Sequence, residues 1–394
     1  MPSTLSTQSD PAPAEETAPI LGWSSLPNDL IYRIGDCLLA DEDVESYMDF
    51  RTVCKGWRDP TMGPKEMDRA KPGHFLRRKW ALLDRHENVL TFVNVETGRF
   101  LAKNIPLLHN YYFVGATGGG MIILEEPIPP YQVRVLNPFT GLVLRFKASL
   151  PVMGWVREAA VVTTTPVMLF ISGKDDNIMW ADENSEHFCE FRAEYRNTPV
   201  TMAPFGSKVY LADRGGSILS SAVAAVGEGE HISNRSEQTI LMAKTIRSHV
   251  AGGHPAWDCY LVKSGGELLL VTRPWYNVHG QPVVRKVDTE NNKLDLLRSI
   301  GNRALFLSDV RCLSVDASKF HGIEGGCIYF VDPILTADNR QASLMTTFRV
   351  DEQVQVDIEF DPVAMAGGSQ QPFTLSQVFA NYCMSTSYSE RGSN

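Results

Sequence analysis

From about residue 88 onward the chain is a succession of short apolar runs cut by turn residues, and no long helical periodicity interrupts them. Residues 89–95, 120–124, 133–136, 167–172, 209–212, 268–272, 283–288 and 327–332 read as strands. Glu96-Thr97-Gly98, Asn137-Pro138-Phe139-Thr140-Gly141, Asp213-Arg214-Gly215-Gly216 and Asp288-Thr289-Glu290-Asn291-Asn292 read as turns between them. Short strands with evenly spaced turn signals build an all-β sandwich, barrel or propeller. The lack of crossover helices argues against an α/β sheet.

A weak internal repeat selects among these. A Gly-containing turn leading into an apolar strand recurs at Gly118-Gly119-Gly120, Gly206-Ser207, Gly265-Gly266 and Gly325-Gly326. The last three lie about 60 residues apart, which suits one blade plus an insertion where blades run to ~40–50 residues. A β region of about 300 residues holds six or seven blades, whereas a single sandwich needs only ~100. The expected fold is therefore multidomain: a small all-α module followed by an all-β domain, a six- or seven-bladed β-propeller.

The boundaries follow from composition. Residues 1–22 are rich in Pro, Ala, Ser and Glu and read as a disordered tail. In residues 23–60, Leu30, Ile34 and Leu38 fall on one helical stripe. Pro27 suits the start of that helix and Asp29 its first turn. Asp41-Glu42-Asp43 supplies a break and cap for a second helix carrying Val44, Tyr47 and Met48 inward, and a third runs through Val53, Cys54 and Trp57. Gly35 inside the first helix is unusual, because a mid-helix Gly costs ~1 kcal/mol against Ala. Residues 61–86 read as a linker or extra helix, with Arg77-Arg78-Lys79 as a solvated face. Residues 87–365 form the β domain, and 366–394 a C-terminal segment whose last residues are disordered.

Charge and cysteine usage narrow the function. The net charge of −9 with 394 residues argues against a nucleic-acid partner, since such affinity comes from Lys and Arg neutralising phosphates. Seven cysteines, none in a CxxC pair and most in apolar runs, read as reduced thiols of the cytoplasm or nucleus rather than a disulfide or zinc framework. No apolar run is long enough for a membrane span, and the first residues lack the basic start and apolar core of a signal peptide. Asn234-Arg235-Ser236 is a sequon without consequence in such a compartment.

Trp23-Ser24-Ser25-Leu26-Pro27-Asn28-Asp29-Leu30, then Ile34 and Leu38, then Val53-Cys54-Lys55-Gly56-Trp57-Arg58 closely resembles the F-box. The late β region carries Val287-Asp288, the run Ser299-Ile300-Gly301-Asn302-Arg303-Ala304-Leu305-Phe306-Leu307, and Gly325-Gly326-Cys327-Ile328-Tyr329-Phe330. It resembles the plant F-box-associated family of KIB-type β-propellers, over roughly residues 75–360. These resemblances imply a plant protein that is the non-catalytic substrate-recognition subunit of a Skp–cullin–F-box ubiquitin ligase, feeding targets to proteasomal degradation. The F-box would dock the Skp adaptor, and through it the cullin, while the propeller would bind an unknown protein substrate.

An F-box of about 40 residues is too small to bury all its apolar side chains, and the surplus is its docking surface. Leu26, Pro27, Leu30, Ile34, Leu38, Val53, Cys54 and Trp57 are the expected framework and adaptor-binding residues. The structural alternative is that they only hold the three helices together. In the propeller, substrate would meet loops at one end of the channel: residues 127–131, 227–237 or 275–281. Trp275, Tyr276 and His279 are the expected substrate contacts, since exposed aromatics are enriched at binding hot spots.

Chemistry-bearing patterns are sparse. The nine histidines show no metal-ligand spacing, so neither metal nor cofactor is expected. Gly118-Gly119-Gly120 lacks the Lys-Ser/Thr of a phosphate loop and reads as a tight turn. Asp175-Asp176 and the alternating Asp357, Glu359 and Asp361 read as solvent-facing carboxylates. Two alternatives stand beside the receptor reading. One is a propeller hydrolase, which would need polar groups converging on the channel; the other is an F-box scaffold outside any ligase, to which Gly35-Asp36 lends a little weight.

Overall fold

Asx side chains at strand ends organise the β region. Asn94 Oδ1 accepts the backbone N–H groups of Glu96 and Thr97. Asn137 Oδ1 does the same for Phe139 and Thr140, and Asp288 Oδ1 for Glu290 and Asn291. The first two turns close on Gly98 and Gly141 at φ 72° and 70°, and the third on Asn292 at φ 54°, left-handed positions where Gly or Asn is favoured. The computed structural model describes residues 22–40, 44–63, 66, 79–151, 155–162, 166–173, 177–191, 199–213, 216–223, 240–246, 257–274, 281–335, 341–352, 354–359, 374–388 and 390. The chain divides into two units, 1–66 and 67–394.

The first unit holds a 3₁₀ turn (Trp23–Ser25) and helices α1 (Asn28–Ala40), α2 (Val44–Thr52) and α3 (Lys55–Arg58). The expected cap at residues 41–43 lies outside the described residues. Ile31, Leu39, Val44, Tyr47 and Phe50 are buried, while Met48 is only half-buried. Gly35 explains the geometry: a Cβ there would sit 3.2 Å from the Tyr47 ring, so the missing side chain lets α2 approach α1. The apolar stripe expected to frame the module is consequently turned outward. Leu30 and Ile34 are 44% and 37% exposed, and the inward face runs through Ile31, Gly35 and Leu39. Tyr47 Oη donates to the Met62 carbonyl at 2.9 Å, and Trp57 Nε1 to the Trp23 carbonyl at 2.9 Å.

The second unit is a six-bladed β-propeller, the lower of the two expected counts. Blade 1 comprises β1 (Trp80–His86), β2 (Val89–Asn94) and β3 (Phe100–Asn104); blade 2, β4 (Tyr112–Ala116), β5 (Ile122–Glu125), β6 (Gln132–Leu136) and β7 (Val143–Ser149). Blade 3 comprises β8 (Trp155–Val162), β9 (Met168–Gly173), β10 (Ile178–Asp182) and β11 (Cys189–Phe191); blade 4, β12 (Pro199–Phe205), β13 (Lys208–Asp213), β14 (Ile218–Val223) and β15 (Ile240–Ile246). Blade 5 comprises β16 (Trp257–Ser264), β17 (Glu267–Pro274), β18 (Val283–Asp288) and β19 (Lys293–Leu297). Blade 6 has the order β21 (Cys312–Asp316), β20 (Arg303–Leu307), β22 (Cys327–Leu335), β23 (Gln341–Arg349), β24 (Val354–Glu359), with β20 and β22 parallel. Helix α4 (Leu375–Met384) and strand β25 (Ser387–Tyr388) follow.

Inner strands such as β5 and β17 are buried along nearly their whole length, because neighbouring blades cover both their faces. The outer strands β3 and β19 alternate with solvent. Two elements depart from the sequence expectation. Strand β1 lies within the stretch expected as linker or helix, residues 61–86. The C-terminal segment, expected as residues 366–394 after the β domain, contributes α4 to the propeller core: Phe379, Ala380, Tyr382 and Cys383 pack with Ala81, Val93, Phe306, Val315 and Tyr329 of blades 1 and 6. Blade 1 has three strands where blade 2 has four and blade 6 has five, and α4 packs on β1 together with β20 and β22. A capping box starts α4: Thr374 Oγ1 accepts from Gln377 N, and Gln377 Oε1 from Thr374 N.

Two buried polar groups tie blades together. Arg273 on β17, with a side chain 4% exposed, makes a bidentate pair with Asp332 of blade 6 at 2.6 and 2.8 Å. Its guanidinium also reaches Asp258 at 3.1 Å and lies 4.4 Å from the Phe330 ring centroid. Glu158 on β8 accepts the Met202 N–H from blade 4 and faces Arg311 of blade 6 and Arg157 of its own strand; burial, opposed by these groups, pushes its carboxyl up to about 7. Removing one partner of a buried ion pair leaves an uncompensated charge. Asp332→Ala should therefore destabilise the propeller by ~3 kcal/mol in chemical denaturation; a change below 0.5 kcal/mol would show that Asp258 alone suffices. Glu158, raised above its unfolded value, contributes stability that is full below about pH 4.5 and lost as pH rises through about 7. Because the residue keeps some solvent exposure, the expected loss is ~1–3 kcal/mol. Melting curves from about pH 5 to 8.5 should show this loss in the parent chain, and Glu158→Gln should remove it.

Candidate functional site

The helical unit gathers exposed apolar surface. Among the described residues, eleven large apolar side chains are exposed, and six of them lie in this short unit: Trp23, Leu30, Tyr32, Ile34, Val53 and Met62. Folded cores do not leave such a density to water without a partner surface. Spacing puts Pro27, Leu30 and Ile34 along one side of α1, with Leu26 half-buried at the junction with the 3₁₀ turn. Val53 is 60% exposed in the turn after α2. Cys54 is half-buried at the start of α3, and Trp57, also half-buried, stacks 4.7 Å from Phe50. Leu38 is half-buried too. Of the residues singled out in the sequence, Pro27, Leu30, Ile34 and Val53 thus face outward, whereas Leu26, Leu38, Cys54 and Trp57 divide between packing and surface.

Sequence reasoning missed Trp23, Tyr32 and Met62, exposed at 78%, 48% and 49%. Tyr32 lies off the expected stripe, so periodicity gives no sign of it. Met62 follows the last helix, beyond the expected module boundary at 60. Burial raises the Tyr47 pKa, against the lowering effect of Arg51, so its hydroxyl keeps the proton that it donates to Met62.

In the propeller, the first strands of blades 2 to 5 run side by side around the channel, β4 beside β8, β8 beside β12 and β12 beside β16. Antiparallel alternation then puts the β5–β6 loop on one face, together with the end of β17 and the starts of β8 and β16. In the β5–β6 loop, Ile128 is 71% exposed, the Pro129-Pro130 bond is cis and Tyr131 has φ 57°. Trp275, Tyr276 and His279 lie outside the described residues, as do residues 227–237 and Asp175-Asp176. Arg273, held by Asp332 and Asp258, fixes the end of β17. Gly120, at φ 78°, serves the turn between β4 and β5, and a Cβ there would meet the Trp80 carbonyl at 3.0 Å.

Four of the propeller thiols are poor nucleophiles. Burial pushes Cys259 up to about 12 and Cys327 to about 11, and holds Cys312 and Cys383 well above the usual range, so at neutral pH they stay protonated. Among the described residues, no three His, Cys, Asp or Glu side chains come together as a metal-holding group, and no helix is long and apolar enough to cross a membrane.

Comparison with known proteins places this geometry. A curated Arabidopsis thaliana protein named as an F-box protein is 22% identical over 358 residues, covering 82% of this chain and 94% of its own. Among solved structures, the β-propeller domain of Cps50 (Swd1) from Myceliophteria thermophila is 10% identical with a TM-score of 0.33, over 71% of this chain and 87% of that one. A post-proline cleaving enzyme from Rickettsia typhi is 10% identical with a TM-score of 0.28, over 66% and 37%. Structural likenesses this low carry no argument. The family model described as KIB1-4 beta-propeller matches residues 92–353. That match runs from β2 in the first sheet to the residue before β24 in the sixth, and the chain therefore belongs to the KIB1-4 β-propeller family.

Proposed function

We propose that this chain is the substrate receptor of a Skp–cullin–F-box ubiquitin ligase, acting in the cytoplasm or nucleus without catalysis of its own. Residues 23–60 act as the F-box, and the propeller holds the protein to be modified. The observation that carries this reading is the outward apolar set on the helical unit: Pro27, Leu30, Ile34 and Val53, with Trp23, Tyr32 and Met62. A small helical module that leaves such side chains in water is complete only with a partner covering them. The likeness to a protein named as an F-box protein supports the same assignment. In the propeller, the β5–β6 loop and residues 275–281 form the substrate surface, with Trp275, Tyr276 and His279 as contacts.

The test is size-exclusion chromatography of the full chain with a Skp adaptor and cullin. A stoichiometric co-eluting complex is expected; separate elution of folded chain would return the hydrolase and scaffold readings to contention. Leu30→Asp with Ile34→Asp, which places two charges on the outward stripe without touching Ile31 or Gly35, should abolish co-elution and leave the β-sheet circular dichroism intact. Leu26→Ala with Pro27→Ala should weaken the complex at least tenfold. Full adaptor binding by both double variants would remove α1 from the interface.

A further inference from the structure

The chain beyond α4 behaves differently from the helix itself. Helix α4 is anchored by four buried side chains, and Ser308 Oγ donates to the Cys383 carbonyl at 2.7 Å. Strand β25 is held more lightly. It adds to the edge of blade 3, outside β8, through the pairs Ser387↔Val156 and Tyr388↔Trp155. Two residues later, one carboxylate oxygen of Glu390 accepts the Phe113 N–H of β4 at 2.8 Å, and the other pairs with Arg85 at 2.7 Å. Arg85 is itself fixed: its guanidinium lies 4.4 Å from the Phe113 ring centroid, and its Nε donates to the Glu87 carbonyl at 3.0 Å.

This arrangement has the parts of a strand-addition site. An extended peptide gains main-chain hydrogen bonds from a sheet edge, and a placed charge sets its register. Here the edge is β8, the added donor is the Phe113 N–H and the charge is Arg85. We propose that the channel-side edge of β8, with Phe113 and Arg85, is a binding site for an extended peptide carrying an acidic side chain two residues past the paired dipeptide, and that Ser387, Tyr388 and Glu390 fill it as an internal surrogate. The proposal rests on the receptor reading and deepens it, since it names the class of segment the propeller receives. Displacement is within reach: a two-residue ladder ends in an ion pair whose side chains are 25% and 39% exposed, and solvent-exposed pairs of this kind are weak. The site shares its face with the β5–β6 loop, so a bound peptide would continue toward Ile128.

The experiment is fluorescence anisotropy with a labelled peptide of sequence Ser-Thr-Ser-Tyr-Ser-Glu. It is titrated into the full chain and into a chain ending at Met384, which keeps α4. The shortened chain should bind at least tenfold more tightly than the full chain. A peptide with Lys in place of Glu should bind it at least tenfold more weakly, and Arg85→Glu should reverse that preference. Equal binding to both chains, or indifference to the peptide charge, overturns the proposal. Should the shortened chain lose its cooperative melt, full-length Glu390→Lys decides: it should gain affinity for the Glu peptide, and no gain overturns the idea. Adaptor co-elution of the same chains separates the two readings. A chain that binds adaptor but takes the peptide without charge preference sinks this inference alone.

Discussion

A ring of blades must be closed somewhere, and here the seam between blades 1 and 6 is closed by a helix. Blade 1 brings only three strands, and the space beside β1 is filled by Phe379, Ala380, Tyr382 and Cys383 of α4. Aromatic rings make the joint: Phe306 stacks on Tyr329 at 4.5 Å, and Phe379 meets Phe306 and Phe320 edge-on at 5.3 and 5.1 Å. Burying a Phe or Tyr side chain is worth ~1.5–3 kcal/mol, so this wedge is a major share of what holds the seam. Polar links lie beside it, with the Asp316 N–H donating to the Val95 carbonyl at 3.0 Å and Arg303 pairing with Glu96 at 2.7 Å. The position of β25, which begins three residues after α4 ends, depends on α4 being seated.

The helical unit obeys a smaller version of the same rule: packing at one point decides what is left facing water. Gly35 is the point. The helix tolerates the propensity cost of Gly because the Tyr47 ring needs the space, and the Tyr47 hydroxyl then reaches the Met62 carbonyl. With Ile31, Gly35 and Leu39 turned to α2, Leu30 and Ile34 have nowhere to go but outward.

How far the sequence could be read follows from this. Strand after strand was legible because middle strands buried on both faces give unbroken apolar runs, as in Leu268–Leu270, and because Gly206, Gly265 and Gly266 occupy left-handed turn positions that mark hairpins. A stronger repeat went unread: Asn94-Val95-Glu96-Thr97-Gly98 and Asn137-Pro138-Phe139-Thr140-Gly141 make the same Asx turn in blades 1 and 2. Strand β1 was lost in the basic stretch before it, and α4 was not foreseen because its role is set by contacts with residues far away in sequence. Periodicity grouped Leu30, Ile34 and Leu38 correctly but could not say which way the stripe faced. That depended on the close contact at Gly35. The proposed substrate surface was the least legible, since residues 127–131, 227–237 and 275–281 share no local pattern.

The seam has a temporal side. The Arg303–Glu96 pair and the Glu390–Phe113 hydrogen bond span 207 and 277 residues of chain, and α4 follows every blade in the sequence. On a ribosome, blades 2 to 5 can pair their own strands as they emerge, since each is built from consecutive hairpins. Blade 1, made first, must wait with the inner edge of β1 uncovered until the helix has cleared the exit tunnel. An exposed strand edge of that kind is a template for wrong pairing, which makes the interval between β1 and α4 the stretch of synthesis in which a chaperone would matter most.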